Sequence, residues 1–297
     1  MTGQEGASRP APPVRHHRIV SGGANLHVAE TGSGPPAVLI HGLGGPPMWQ
    51  RLTGLLSKRF TVFSIDLPGF GESGSSGSTY SVSDHAGFVH DCLNGLKIRN
   101  ATLIGISYGG QVAGTLAAAH RELIGRLVLV ATTGFSPGSL LSRLGRWITR
   151  GGALRERAMK NRRLVKWLSD RSFYDIRNRP DGLVERFLED LSDKDRRAAW
   201  LGSIHNTFDR SGDLGAALAS GGLPVLIVWG ANDRTISVKV AHRLHAQLPQ
   251  STLRILDRCA HSVPLEKPEE LSAAIADFAR PAPAPEAPPV PGARRMR

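Results

Sequence analysis

The chain has 297 residues, of which 40% are hydrophobic and 21% are charged, and it contains only two cysteines. This composition excludes a wholly disordered chain, a disulfide framework and a zinc site built on four cysteines. The formal net charge of +12 suggests a nucleic-acid or membrane partner. The position of the charged residues along the chain tests this hypothesis.

The amino-terminal segment predicts neither a leader nor an anchor. Residues 1–14 are polar and contain Gly and Pro, which predicts a disordered tail. The first residues lack the apolar stretch of a secretory signal, so we expect a cytoplasmic protein. The chain contains no run of about 18 apolar residues, so we expect no stable membrane insertion.

Short apolar runs then alternate with helical patterns. The runs that predict strands are 17–20, 25–29, 37–40, 61–65, 101–106, 126–131, 225–229 and 252–256. The patterns that predict helices are 49–57, 82–96, 111–120, 238–247 and 268–278. The inner strands are continuously apolar, as in strands that are buried on both faces. The alternation predicts an α/β fold with a mostly parallel, eight-stranded sheet and helices on both faces.

One long segment interrupts the alternation after the sixth strand. Residues 133–217, which we name the cap segment, are helical in pattern and rich in Arg. The predicted core therefore comprises residues 15–132 and 218–280, and the Pro-rich residues 281–297 predict a second disordered tail.

The positive charge belongs mainly to the cap segment and the two ends. Residues 143–179 include twelve basic residues and only three acidic ones, whereas the predicted core is close to neutral. No zinc-finger or RNA-binding motif accompanies this charge, so we expect no nucleic-acid partner. Three interpretations of the basic surface stay open: a solvated face, a lid that recruits anionic or carrier-protein-bound substrates, and a contact with an anionic membrane surface.

A candidate nucleophile follows the strand at 101–106. The sequence Gly105-Ile106-Ser107-Tyr108-Gly109 places Ser107 where a strand turns into a helix. Such a turn strains the serine backbone, and its small neighbours let it lie close to the adjacent strands. A glycine-rich loop with an ordinary serine is the alternative for this motif alone.

A second glycine-rich turn, residues 41–45, follows the strand at 37–40. A tetrahedral intermediate needs two preorganised donors, and the backbone amides of Leu43 and Tyr108 are our candidates for this oxyanion hole. We expect His41, Gly42 and Gly44 at the substrate, although His41 is more typical of a structural residue than of a base.

A candidate catalytic residue follows each of the last two predicted strands. Asp233 follows the strand at 225–229, and His261 follows the strand at 252–256. Ligands collect at the carboxyl ends of parallel strands, so Ser107, Asp233 and His261 are expected at one sheet edge. His261 would accept the serine proton, and Asp233 would hold the imidazole.

At this point the sequence resembles the α/β-hydrolase superfamily, and in particular its small capped esterase-like members. The resemblance covers about residues 14–280 and rests on motifs that stand as HGLGG at 41–45, DLPGFGES at 66–73, GISYGG at 105–110, WGANDR at 229–234 and CAHSVPLEKPEEL at 259–271. It implies the triad Ser107, Asp233 and His261, and a helical cap inserted after strand 6.

The nucleophile limits the reaction. Members that open epoxides or displace halide carry Asp at the position of Ser107, so the resemblance implies acyl transfer and a carboxylesterase. Carbon–carbon bond cleavage in β-diketone-like acids, thioester or carrier-protein ester hydrolysis, and a non-catalytic ligand-binding receptor are the alternatives. We expect no cofactor and no metal, a small-molecule ester substrate, and a monomer or homodimer. Trp147 and Trp167 in the cap segment are further candidates for substrate binding.

Overall fold

The computed structural model describes residues 12–134, 161–209 and 213–280. These residues contain eight strands. The strands are β1 (Val14–Ser21), β2 (Ala24–Gly32), β3 (Pro36–Ile40), β4 (Thr61–Ile65), β5 (Ala101–Ile106), β6 (Ile124–Val130), β7 (Val225–Gly230) and β8 (Thr252–Leu256).

All eight strands form one sheet in the order β1-β2-β4-β3-β5-β6-β7-β8. β1 pairs antiparallel with β2, and β2 pairs antiparallel with β4, whereas the other neighbouring strands are parallel. The predicted fold class, a mostly parallel α/β sheet of eight strands, is therefore confirmed. β5 and β7 are buried along their full length, which explains their uninterrupted apolar sequences.

Strand β3 lies between β4 and β5 in the sheet. The next two strands of the chain are therefore added on opposite sides of β3. Ile40 at the end of β3 is in register with Gly105 in β5, so the loops after these two strands begin side by side. Such a switch point, at the carboxyl ends of parallel strands, is the place where α/β sheets bind ligands.

Helices cover both faces of the sheet. The helices of the core are α1 (Thr53–Leu56), α2 (Val82–Gly95), α3 (Tyr108–Ala119), α8 (Lys239–Gln247), α9 (Val263–Glu266) and α10 (Pro268–Phe278). α2, α3 and α8 pack on one face through residues such as Val89, Leu116 and Leu244. α1 and α10 pack on the other face through Leu56 and Ile275.

Three further α-helices lie in the described part of the cap segment, and a fourth begins there and ends two residues beyond it. They are α4 (Arg162–Asp170), α5 (Leu183–Ser192), α6 (Lys194–Asp209) and α7 (Leu214–Ala219). α6 docks on the core where Arg196 donates to the Gly71 carbonyl over 3.0 Å. Within residues 12–134, 161–209 and 213–280, no helix combines the length and the apolar character that crossing a membrane requires.

Three local details differ from the predicted pattern. The helix predicted at 49–57 is a short 3-10 helix, Pro46–Trp49, followed by the single turn of α1. Helix α3 begins at Tyr108 instead of residue 111. Strand β1 begins at Val14, the last residue of the predicted tail, and residues 1–11 lie outside the described part of the chain.

Candidate active site

Ser107 occupies a strained turn between β5 and α3. Its backbone has φ 55° and ψ −121°, a region that residues with a side chain rarely adopt. A hydrogen bond to the neighbouring strand fixes the turn, because the Ser107 amide donates to the carbonyl of Val130, the last residue of β6, over 2.9 Å. Backbone strain of this kind costs about 1–3 kcal/mol and collects at functional sites. The side chain is half-buried, at the amino-terminal end of α3.

The glycines that flank Ser107 are required by close backbone contacts. A Cβ atom on Gly105 would lie 2.3 Å from the Gly109 carbonyl oxygen. A Cβ atom on Gly109 would lie 2.3 Å from the carbonyl oxygens of both Ile40 and His41. These distances are far below van der Waals contact, so the turn accepts no larger residue at either position without movement of the backbone.

Asp233 and His261 are joined by a buried hydrogen bond. His261 Nδ1 lies 2.8 Å from Asp233 Oδ2, and the two side chains are 9% and 0% exposed. The other carboxylate oxygen, Oδ1, accepts from the amides of Thr235 and Ile236 over 2.7 and 2.8 Å. Oδ1 is therefore committed to the backbone of its own loop, and Oδ2 is the oxygen that contacts the imidazole.

Gly230 lets the two loops meet. It ends β7, and a Cβ atom at this position would lie 2.2 Å from the Ala260 carbonyl oxygen. The loops are then joined by a hydrogen bond from the Asn232 amide to the Cys259 carbonyl over 2.9 Å. The close approach of these backbones places His261 beside Asp233.

Ser107 is not hydrogen-bonded to the Asp233–His261 pair. Its Oγ makes no hydrogen bond with any residue of the described ranges. The hydrogen bond between a nucleophile and its base often reaches good geometry only in the complex with substrate. The three residues nevertheless follow strands β5, β7 and β8, at one edge of the sheet.

The two predicted oxyanion donors belong to Tyr108, the residue after Ser107, and to Leu43, in the turn after β3. Leu43 lies in the turn that the Gly42 carbonyl closes by accepting from the Gly45 amide over 3.0 Å. A Cβ atom on Gly42 would be 3.1 Å from Ser107 Cβ, so this turn packs against the nucleophile. The amides of Leu43 and Tyr108 have no acceptor among the described residues. Gly44, in the same turn, is exposed.

His41 holds the turn from inside. The ring is fully buried, Nδ1 donates to the Gly42 carbonyl over 2.7 Å, and Nε2 accepts from the Leu67 amide over 3.1 Å. Burial lowers the pKa of His41, against the opposing charge of Asp66. Both ring nitrogens are used within the protein, so the side chain positions the turn and has no nitrogen left for a substrate.

The two predicted tryptophans of the cap segment have different outcomes. Trp147 lies outside the described residues. Trp167 lies on α4 and is 53% exposed, with the Arg171 guanidinium 4.9 Å from its ring centre. The ring therefore stacks on a cation at the surface, and its role in substrate binding stays a prediction.

A buried carboxylate, Glu266, is absent from the site predicted from the sequence. Its Oε2 accepts from the amide of Ala260, the residue before His261, over 2.8 Å. Burial raises its pKa, against three hydrogen bonds from backbone amides that lower it. One indication of this carboxylate was present in the sequence, an acidic residue five positions after His261. Nearby Cys259 is fully buried, and burial raises the pKa of its thiol, so it is unsuited to act as a nucleophile.

Comparisons with known proteins identify the family. A model of the alpha/beta hydrolase family matches residues 37–274. The chain is 30% identical over 256 residues to the uncharacterized hydrolase YugF of Bacillus subtilis (strain 168), across 81% of this chain and 88% of YugF. It is 28% identical over 277 residues to a 2-hydroxy-6-oxononadienedioate/2-hydroxy-6-oxononatrienedioate hydrolase of Burkholderia vietnamiensis, across 90% of this chain and 95% of that enzyme.

Solved structures show the same fold. The crystal structure of a membrane phospholipase A, described as a bacterial virulence factor, has a TM-score of 0.73 and 26% sequence identity. The match covers 89% of this chain and 85% of that chain. Together with the family model and the geometry at the sheet edge, these matches show that the chain belongs to the alpha/beta hydrolase family.

Proposed function

We propose that the chain is a serine hydrolase that cleaves carboxylic esters through an acyl-enzyme on Ser107. One observation carries this proposal: His261 Nδ1 and Asp233 Oδ2 are 2.8 Å apart at the sheet edge where Ser107 occupies its strained turn. Membership of a hydrolase family supports it.

His261 acts as the general base in this mechanism. Its Nδ1–H donates to Asp233, a tautomer assigned from the hydrogen-bond network, so Nε2 carries the free lone pair. Nε2 removes the Ser107 Oγ proton while Oγ forms a bond to the ester carbonyl carbon. The carbonyl oxygen becomes an oxyanion and accepts from the amides of Leu43 and Tyr108. The Asp233 carboxylate stabilises the imidazolium that results.

Two bond cleavages complete the cycle. The imidazolium of His261 gives its proton to the leaving alkoxide as the carbonyl carbon–oxygen bond breaks, which leaves an acyl group on Ser107. Water then enters, and His261 accepts one of its protons as the water oxygen attacks the acyl carbon. Release of the carboxylic acid returns the proton to Ser107.

Cleavage of a carbon–carbon bond is the second candidate. It is favoured by the 28% identity to the 2-hydroxy-6-oxononadienedioate/2-hydroxy-6-oxononatrienedioate hydrolase, which extends over 90% of this chain. The substrate of that enzyme is a dicarboxylic acid, so the basic cap segment would suit a similar ligand. Arg162, Lys166 and Arg179, however, already form ion pairs with acidic neighbours, which leaves these three side chains less available to an anionic ligand.

Hydrolysis of activated esters of graded acyl length tests the proposal. We expect 4-nitrophenyl esters to be turned over by the unaltered protein and by Ser192→Ala, whose hydroxyl lies on an exposed surface of α5. Ser107→Ala should lose at least about 10³-fold in kcat, because the nucleophile is removed while the fold is kept. Full turnover in Ser107→Ala would refute the mechanism. A higher kcat/KM for 2-hydroxy-6-oxo dienedioic acids than for any ester would instead identify the carbon–carbon reaction.

A further inference from the structure

Glu266 is a buried carboxylate that joins two segments far apart in the sequence. Its Oε2 accepts from the Ala260 amide over 2.8 Å, in the loop that carries His261. Its Oε1 accepts from the amides of Tyr174 and Asp175 over 2.7 and 3.0 Å, in the cap segment. The residue is only 9% exposed, so these three amides replace the water that a carboxylate would otherwise bind.

Residues 171–175, which we name the strap, contact both loops of the candidate site. The Ser172 carbonyl accepts from the amide of Ser262, the residue after His261, over 2.9 Å. Arg171 Nη2 donates over 3.3 Å to the carbonyl of Arg234, the residue after Asp233. The amides on both sides of His261 are therefore tied, one to Glu266 and one to the strap.

A second bridge extends the same connection beyond the strap. Arg51 Nη1 donates to the Leu265 carbonyl over 2.7 Å and to Asn178 Oδ1 over 3.1 Å. Leu265 precedes Glu266 in helix α9. The short helix that carries Glu266 is thus held from the core side by Arg51 and from the cap side by the strap.

We propose that Glu266 is a positioning residue for the proposed hydrolysis, and that it couples the cap segment to His261 through the strap. This inference rests on the proposed function, because it assigns the position of the general base to a contact outside the triad. Loops carry catalytic residues accurately only when neighbouring hydrogen bonds hold them, and a displacement of about 1 Å costs up to 10²-fold in rate. A carboxylate suits this place because it accepts on both oxygens, whereas an amide offers one acceptor and one donor.

Glu266→Gln is the first test, with Glu269→Gln as its matched control. Glu269 has the same side chain and lies exposed on the next helix. We expect Glu266→Gln to lower kcat about ten- to hundredfold with KM unchanged, and to slow covalent labelling of Ser107 by a fluorophosphonate to the same extent. Hydrogen exchange at the Tyr174 and Asp175 amides should speed up in Glu266→Gln, while Glu269→Gln behaves as the unaltered protein.

A change on the cap side tests the coupling without altering the histidine loop. Tyr174→Pro removes one donor to Glu266, whereas Tyr174→Ala keeps the backbone N–H and removes only a side chain that is 49% exposed. We expect Tyr174→Pro to slow the labelling of Ser107 about tenfold and Tyr174→Ala to leave it within about twofold. Labelling is measured well below the unfolding midpoint of each variant, so a general loss of stability does not imitate the effect.

The outcomes separate this inference from the proposed function. If the unaltered protein does not label at Ser107, the serine hydrolase assignment fails, and with it the role given to Glu266. If Ser107 labels at the same rate in Glu266→Gln, Tyr174→Pro and the unaltered protein, the hydrolase assignment stands and the positioning role is overturned. Unchanged exchange at Tyr174 and Asp175 in Glu266→Gln would equally overturn the coupling.

Discussion

Asp233 presents one carboxylate oxygen to His261 and commits the other to its own loop. Oδ2 lies 2.8 Å from His261 Nδ1, whereas Oδ1 accepts from the amides of Thr235 and Ile236. The orientation of the carboxylate is therefore fixed by the backbone before a substrate arrives. This relationship determines which tautomer the histidine adopts.

Asp233→Asn should abolish most activity without disturbing the fold. The amide oxygen would replace Oδ1, since Thr235 and Ile236 still donate there, and the NH₂ group would face His261 Nδ1. Nδ1 would then have to accept, leaving the proton on Nε2 where the serine proton must go. We expect kcat on an activated ester to fall about 10²- to 10⁴-fold. Asp257→Asn, at an exposed position, serves as control, and wild-type turnover in Asp233→Asn would contradict the assignment.

Alanine substitutions at two helical glycines should have opposite effects on stability. At Gly109 the added Cβ meets the carbonyl oxygens of Ile40 and His41 at 2.3 Å, so we expect a loss of about 1–3 kcal/mol in the free energy of unfolding. At Gly87, on α2, nothing lies within 4 Å of the added atom, and alanine should stabilise by about 0.5–1 kcal/mol. Urea unfolding of both variants measures the two changes, and equal shifts would contradict the packing of the turn.

Acid should destabilise the protein through a second buried histidine, His85, beside the candidate oxyanion donor. Its Nδ1 lies 2.6 Å from the Tyr108 hydroxyl, and burial lowers its pKa from 6.5 to about 3. Between these values the unfolded chain binds a proton that the folded chain does not. The contribution of this residue to stability is therefore present above pH 6.5 and is lost as the pH falls, by about 1.4 kcal/mol per pH unit.

His85→Gln tests that slope. Glutamine keeps a polar atom near Tyr108 and does not titrate, so the fall in unfolding free energy from neutral pH towards pH 4 should be shallower than in the unaltered protein. His242→Gln, at an exposed position of α8, should leave the slope unchanged. Parallel curves for all three proteins would show that His85 does not contribute to acid unfolding.

Charge reversal at Arg163 tests whether the basic cap segment recruits anionic substrates. Arg163 is exposed and has no ion-pair partner among the described residues, whereas its neighbour Arg162 pairs with Glu185. We expect Arg163→Glu to lower kcat/KM for an ester of a dicarboxylic acid about two- to fivefold at low salt, with little change for a neutral ester. Lys58→Glu, at an exposed position two residues after α1, is the control. Equal losses for both esters, or losses independent of salt, would favour a merely solvated surface.

The buried strands were predictable because their environment allows only one kind of sequence. β3, β4 and β5 match the predicted runs to within one residue, since both faces of each strand are covered. β1 is longer than its predicted run, because most of its residues are exposed and residues such as His16 interrupt the apolar pattern. The start of α3 was missed because Gly109 and Gly110 disfavour a helix locally, whereas the close packing of the turn requires them.

The residues that strand order brings together could be predicted from the sequence. The contacts between the cap segment and the loops of the site could not. Asp233 and His261 meet because their strands are neighbours in a parallel sheet. Glu266 bonds to Tyr174, a residue 92 positions away, so no local pattern contains the contact. Helical spacing also does not show which face of α4 packs against the rest of the protein. Val165 is buried, whereas Trp167 is exposed.

The hydrogen bond from the Ser262 amide to the Ser172 carbonyl has a consequence for engineering. Exchanging caps between related hydrolases is a natural way to transfer selectivity, and the obvious graft boundaries are the end of β6 and the start of β7. In this chain a graft from the end of β6 to the start of β7 would also replace residues 171–175, whose backbone and Arg171 side chain hold the loops that carry Asp233 and His261. A chimera should therefore retain residues 171–178 of the host and begin the foreign sequence outside them.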